Sequence, residues 1–187
     1  MNDAAPTKRS FVDASVFITL AEIDYVDLLD SFESEVIVPQ AVAEEVADEP
    51  AASHLDAASD EWLRVVDTVD VVGRQPLEHA ATHLDADFSG SPPSDSGSVE
   101  GDVALLALGT TAEDPVVVTD DKPLRKACKA LGVPVSGSIG VIVAAVERGR
   151  LDVAEAKDAL VAMDEVGARL SARLLRRAER LIDDAGD

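Results

Sequence analysis

The stretch "VEGDVALLALGTTAEDPVVVTDDKPLRKACKALGVPVSGSIGVIVAAVERGRL", residues 99–151, decides the fold. Gly101 to Leu108 reads as a helix, Val116 to Val118 as a buried strand, and Pro123 to Leu131 as a second helix. A short strand at Val133 to Val135 and a helix from Ile139 to Arg148 complete the pattern. Gly132 and Gly149 stand where two of these helices should stop. Strands alternating with helices at this spacing predict an α/β fold with a parallel sheet covered on both faces.

The same rhythm appears upstream. "RSFVDASVFITLAEIDYVDLL" starts with a β-prone run at Phe11 and Val12, breaks at Asp13-Ala14-Ser15, and continues as an apolar helical pattern through Leu20, Ile23 and Leu28. The apolar positions from Ile18 to Leu29 suit a core or an interface equally. "EVIVPQAVAEEVAD" gives a strand at Val36 to Val38, a proline suited to a first helical turn, and a helix from Ala41 to Val46. A short helix and a strand at Leu63 to Val66, extended toward Val72, are expected next. Residues 86–98, rich in Ser, Gly, Pro and Asp, read as a flexible acidic insertion. The tail from Val153 to Asp184 is helical, with a break near Gly167.

The chain has 187 residues, 47% of them hydrophobic, which suffices for one domain with a real core. No run matches the ~18 to 20 apolar residues of a membrane span, and the N-terminus lacks the apolar stretch of a signal peptide, so a soluble, cytoplasmic protein is expected. The one cysteine, Cys128, excludes an internal disulfide and a cysteine-rich zinc site and reads as buried packing. Trp62 likewise reads as packing.

With 37 acids against 16 bases, the net charge of -21 resembles that of proteins from salt-loving cells. The charge is uneven. Residues 1–121 hold 27 acids and 4 bases, residues 122–187 hold 10 acids and 12 bases, so a polyanion would meet the second half. At about 1 M salt the Debye length is only about 3 Å, and the distant acids would scarcely repel it.

In an open parallel sheet, ligands bind beyond the carboxyl ends of the strands. Asp13 follows the first strand, Asp120 and Asp121 follow "VVVT", Asp102 begins the helix that feeds that strand, and Glu45 lies one to two turns into the helix after the second strand. Carboxylates gathered in one pocket repel one another unless a cation is present, and hard oxygen donors without His or Cys suit Mg²⁺ or Mn²⁺. Such a site can activate water and stabilise an in-line displacement at a phosphodiester. Capping explains Asp102 alone equally well, and a solvated face explains Glu45 alone; the constellation is more specific than its members. Strand-end aspartates also serve phosphatases and receiver domains, but "DAS" stands where a phosphatase would want Asp-x-Asp.

"FVDASVFI", "VIVPQAVAEEV", "EGDVALLALG", "VVVTDDKPLRKACKALGVPVSGSIGVI" and, more loosely, "LVAMDEVGARLSARLL" occur in an order that resembles the PIN-domain ribonuclease family, over residues 10–48 and 98 to about 176. The resemblance implies a three-layer α/β/α sandwich with a central parallel sheet of four to five strands. It implies a catalytic domain over 8–150 and a C-terminal helical extension over 151–187 packed upon it. The implied activity is a metal-dependent endonuclease for single-stranded RNA, with Asp13, Glu45, Asp102 and Asp121 as catalytic and metal-binding acids. Ser15 and Thr119 would hydrogen-bond around them. Asp121 matches the third position of a Thr-x-Asp pattern, while Asp120 stays open as a ligand; Glu44 is a one-residue alternative to Glu45, and Glu100 a supplement to Asp102. A homodimer and a small antitoxin-like inhibitor are expected partners, and a non-catalytic RNA-binding or structural module is the competing function.

Lys122, Arg125, Lys126 and Lys129 follow the spacing i, i+3, i+4, i+7, one helix stripe beside the acids that could hold RNA phosphates. Arg169, Arg173, Arg176, Arg177 and Arg180 form a second stripe, suited to RNA, to the acidic body or to a partner chain. His79 and His83, an i, i+4 pair near Asp85 and Asp87, could hold a metal but lack a metalloprotease glutamate and read as a surface helix.

Overall fold

The computed structural model describes residues 8–86 and 100–186; the 86–98 insertion lies almost wholly outside the described residues. Five strands form one all-parallel sheet in the order β3-β2-β1-β4-β5. The strands are β1 (Arg9–Val12), β2 (Glu35–Pro39), β3 (Leu63–Val66), β4 (Pro115–Val118) and β5 (Val135–Ser136). The chain moves outward from β1 through β2 to β3, then returns to β4 on the other side. The strand order therefore reverses between β1 and β4, where Val12 pairs with Val118.

The helices are α1 (Ala14–Glu22), α2 (Gln40–Glu45), α3 (Ala51–Glu61), α4 (Thr68–Val72), α5 (Arg74–His83), α6 (Gly101–Thr111), α7 (Lys122–Ala130), α8 (Ser138–Glu147), α9 (Val153–Met163) and α10 (Ala172–Ala185). One layer gathers α4, α5 and α7 around α6, which packs on β1, β2 and β4; the other gathers α3, α8 and α9 around α1, with α10 against α8 and α9. The three central strands, apolar along most of their length, bury Phe11, Val12, Val36, Val38, Val117 and Val118 between the layers, as a sheet covered on both faces must. Ala156, Leu160, Met163, Ala178 and Ile182 of the C-terminal helices join the same apolar cluster. No helix of the described residues is long and apolar enough to cross a membrane.

Several elements differ from expectation for local reasons. The helix begun after β1 stops at Glu22, and Leu28 belongs to a separate 3-10 turn, Val26–Leu28, after Asp24 takes a positive φ of 61°. Leu20, Val26, Leu28 and Leu29 are buried in the core. β3 does not run on to Val72. The Asp67 carboxylate accepts from the N–H groups of Val69 and Asp70 and starts a helix there, a cap that competes directly with strand extension. β5 is displaced from 133–135 to Val135–Ser136, because Pro134 has no N–H to give and joins only through its carbonyl, which accepts from Val117 at 3.0 Å. The tail breaks at Gly167, with φ 106°, inside a π-helical segment Asp164–Ala168.

Candidate active site at the sheet edge

Asp13 is the only buried charged side chain among the described residues, 7% exposed. Backbone pairing brings it there: its N–H donates to the carbonyl of Val118, continuing the β1–β4 ladder one residue past the strand. Its Oδ2 accepts from Ser15 Oγ at 2.6 Å and from Thr119 Oγ1 at 2.8 Å. A buried carboxylate is costly unless its lone pairs are used, and these two hydroxyls use them on one oxygen. Oδ1 has no hydrogen-bond partner among the described residues and is not sealed from solvent, so Asp13 presents one free oxygen at the point where the strand order reverses.

Thr119, fully buried, ties the edge together. Its hydroxyl donates to Asp13 and accepts from the N–H of Asp121 at 3.0 Å, which holds the start of α7 over the end of β1. Asp121 is the N-cap of α7, with Oδ2 accepting from Leu124 N–H at 2.8 Å and Oδ1 unengaged. Asp120 faces the other way. Its carboxylate accepts from the Ser138 N–H and from Ser138 Oγ at 2.5 Å, so it starts α8. Gly137 makes this approach achievable, since a Cβ there would lie 2.3 Å from Asp120 Oδ1 and 3.2 Å from the Thr119 carbonyl.

Asp102, in the first turn of α6, completes the acidic edge from the same layer as α7. Its carboxyl is pushed up from 3.8 to about 6 by partial burial and then by the charges of Asp13, Asp121, Glu45 and Glu100, in that order. Asp120 is absent from that field. Glu45 ends α2 and is also raised, by burial and by Asp13, with the Gly101 N–H drawing it partly back. Its Oε1 rests against α6 so closely that a Cβ on Gly101 would sit 2.5 Å away. Glu44 points elsewhere, accepting from Gln40 on the exposed face of α2.

The four acids therefore share one edge and feel one another's charge. In these side-chain positions no three Asp, Glu, His or Cys groups among the described residues converge to enclose an ion. The donor set still suits a hard divalent cation: free carboxylate oxygens on Asp13 and Asp121, and two carboxyls raised by burial and then by neighbouring acids, whose repulsion a cation would relieve.

Of the basic stripe on α7, Lys122, Lys126 and Lys129 are exposed, but Arg125 is not available as a whole. Its Nη1 donates to the carbonyls of Thr119 at 2.7 Å and Ser136 at 2.5 Å, joining the ends of β4 and β5. The i, i+3, i+4, i+7 pattern shows the stripe but not this inward turn. Ser138, Gly101 and Gly137 are site-shaping residues that sequence reasoning missed; the dense "VSGSIG" is the only trace of Gly137 and Ser138 beside β5. His79 and His83 are exposed on α5, and Asp87 lies outside the described residues. Cys128 is buried, its thiol pushed up to about 11 mainly by burial, which leaves it inert.

The sequence matches the family profile described as a PIN domain over residues 10–87 and 96–184. No curated protein matches it.

Proposed function

Because the chain belongs to the PIN-domain family, we propose that it is a Mg²⁺- or Mn²⁺-dependent endoribonuclease acting on single-stranded RNA at the β1–β4 edge. PIN domains have a nuclease-like fold, are generally nucleases and typically use divalent metals. The observation that carries the reading is the buried Asp13, held on one oxygen by Ser15 and Thr119 and free on the other, within the field of Asp102, Asp121 and Glu45.

In this reading Asp13, Asp121, Asp102 and Glu45 would hold the metal, which would supply charge stabilisation for an in-line displacement and lower the pKa of a water. Ser15 and Thr119 fix the Asp13 carboxylate, so its free oxygen needs no reorganisation when substrate binds. Asp102, raised by burial and by the neighbouring acids, would give up its proton on taking part in metal binding. This reading leaves Asp120 out of the ligand set, supported by its hydrogen bonds to Ser138 on the other side of the edge. A homodimer and a small antitoxin-like inhibitor belong to the same proposal, although the chemistry requires neither.

The test is cleavage of single-stranded RNA in high potassium salt with Mg²⁺ or Mn²⁺. Asp13→Asn and Asp121→Asn should each abolish cutting. RNA binding without cutting by the wild type would instead identify a non-catalytic module.

A further inference from the structure

A cleft of about 1120 Å³ opens beside the acidic edge, with Ser15, Asp120 and Asp121 at its near end and α10 and the turn before it at its far end. Lys122, Arg125, Lys129, Arg169 and Arg177 line it, against one further acid, Glu147. Its floor is aliphatic: Ile139 and Val143 of α8 face Leu174 and Leu181 of α10, which are 40% and 41% exposed. Apart from Arg125, none of these cations forms a hydrogen bond or ion pair with another described residue. The second arginine stripe is thus not neutralised by the acidic body.

The opposite side of the edge is closed to a polyanion. Only four bases precede residue 122: Arg9 and Arg64 pair with Glu35, Arg74 pairs with Glu78, and Lys8 stands at the amino end of β1, away from the acids. Beyond Glu45 that side adds exposed Asp48 and Glu49.

The geometry points to a one-sided substrate path: from the acidic edge, single-stranded RNA runs over the β5 side into the cleft between α7, α8 and α10, where Arg169 and Arg177 hold phosphates and the aliphatic floor receives bases. This rests on the nuclease reading for the identity of the polymer. It assigns the C-terminal segment a substrate-positioning role. It also separates two arginines of the stripe from their neighbours, because Arg173 and Arg176 do not line the cleft.

The experiment measures anisotropy of a labelled single-stranded oligoribonucleotide bound to the full chain carrying Asp13→Asn, in EDTA, across a salt series. Each phosphate left without its cation lowers the log-affinity against log-salt slope by about 0.7 for a single strand. Arg169→Gln/Arg177→Gln should weaken binding about tenfold and flatten the slope by about 1.4, while Arg173→Gln/Arg176→Gln, with the same charge change, should leave both unchanged. Lys129→Gln on α7 should flatten the slope by about 0.7 and keeps the test open if the α10 variant misfolds. Equal losses from the two arginine pairs, or none, overturn the path. So does a switch from dimer to monomer in Arg169→Gln/Arg177→Gln with unchanged RNA affinity, which would make the cleft an interface between copies. Binding that follows the cleft in a wild type that never cuts would sink the cleavage reading and leave the path standing. Cutting that persists while binding ignores the cleft does the reverse.

Discussion

Adjacent aspartates in "TDD" do different work, and that difference can be measured. Asn serves nearly as well as Asp as an N-cap, so Asp121→Asn should keep α7 and cost well under about 1 kcal/mol while removing the charge proposed to face the metal. Asp121→Ala loses both. Asp120→Ala should release the start of α8 at a cost of about 1 kcal/mol but leave cleavage largely intact. Thermal melts and cleavage assays on the three variants separate capping from ligation; abolished cleavage in Asp120→Ala with a normal melt would reverse the assignment. The sequence placed both aspartates at a strand end but could not choose between them, because the choice depends on Ser138, eighteen residues away. Asp102 adds a pH signature. Its folded pKa of about 6 exceeds the unfolded value near 3.8, so the folded state binds the extra proton between them. Its contribution to metal-free stability is full below the lower value and lost as pH rises through the upper one. Asp102→Asn should therefore flatten the fall in metal-free melting temperature between about pH 4 and 6, and metal binding by the wild type should weaken as pH falls below about 6.

At the level of elements, β1, β2, β4 and the starts of the helices that follow them were legible because each strand is a short apolar run ended by a clear break. The edge strands were not. β3 is cut short by the Asp67 cap and β5 is shifted by Pro134, and both depend on which neighbour accepts a hydrogen bond, which periodicity does not carry. Arg125 is the element-scale counterpart: helical spacing set it among phosphate-binding bases, whereas one of its nitrogens fastens β4 to β5. Arg125→Ala should cost about 2 kcal/mol by leaving those carbonyls without a charged donor, an effect seen as a lower denaturation midpoint. Gly101→Ala offers a complementary probe. The new Cβ would displace the Glu45 carboxylate, the far end of a flexible side chain, so the fold should survive while metal affinity, measured by titration calorimetry, falls severalfold.

For the whole molecule, the net charge of -21 sets the terms. Concentrated salt shortens the Debye length from about 10 Å at 0.1 M to about 3 Å at 1 M, and the melting temperature should rise with it as surface repulsion is screened. A divalent metal should raise it further in the wild type, and clearly less in Asp13→Asn, since only the folded edge gathers the acids. The parallel sheet, the position of the strand reversal and the contrast between an acidic first segment and a basic second one combine in a single arrangement: acids at the β1–β4 edge, bases on one side of it. Whether this edge hydrolyses RNA through Asp13 is decided most directly by cleavage of single-stranded RNA with Mg²⁺ or Mn²⁺ in high potassium salt. The wild type, Asp13→Asn and Asp121→Asn, each shown to be folded, are compared. Cutting by the wild type alone is the predicted result; equal cutting by all three would contradict it.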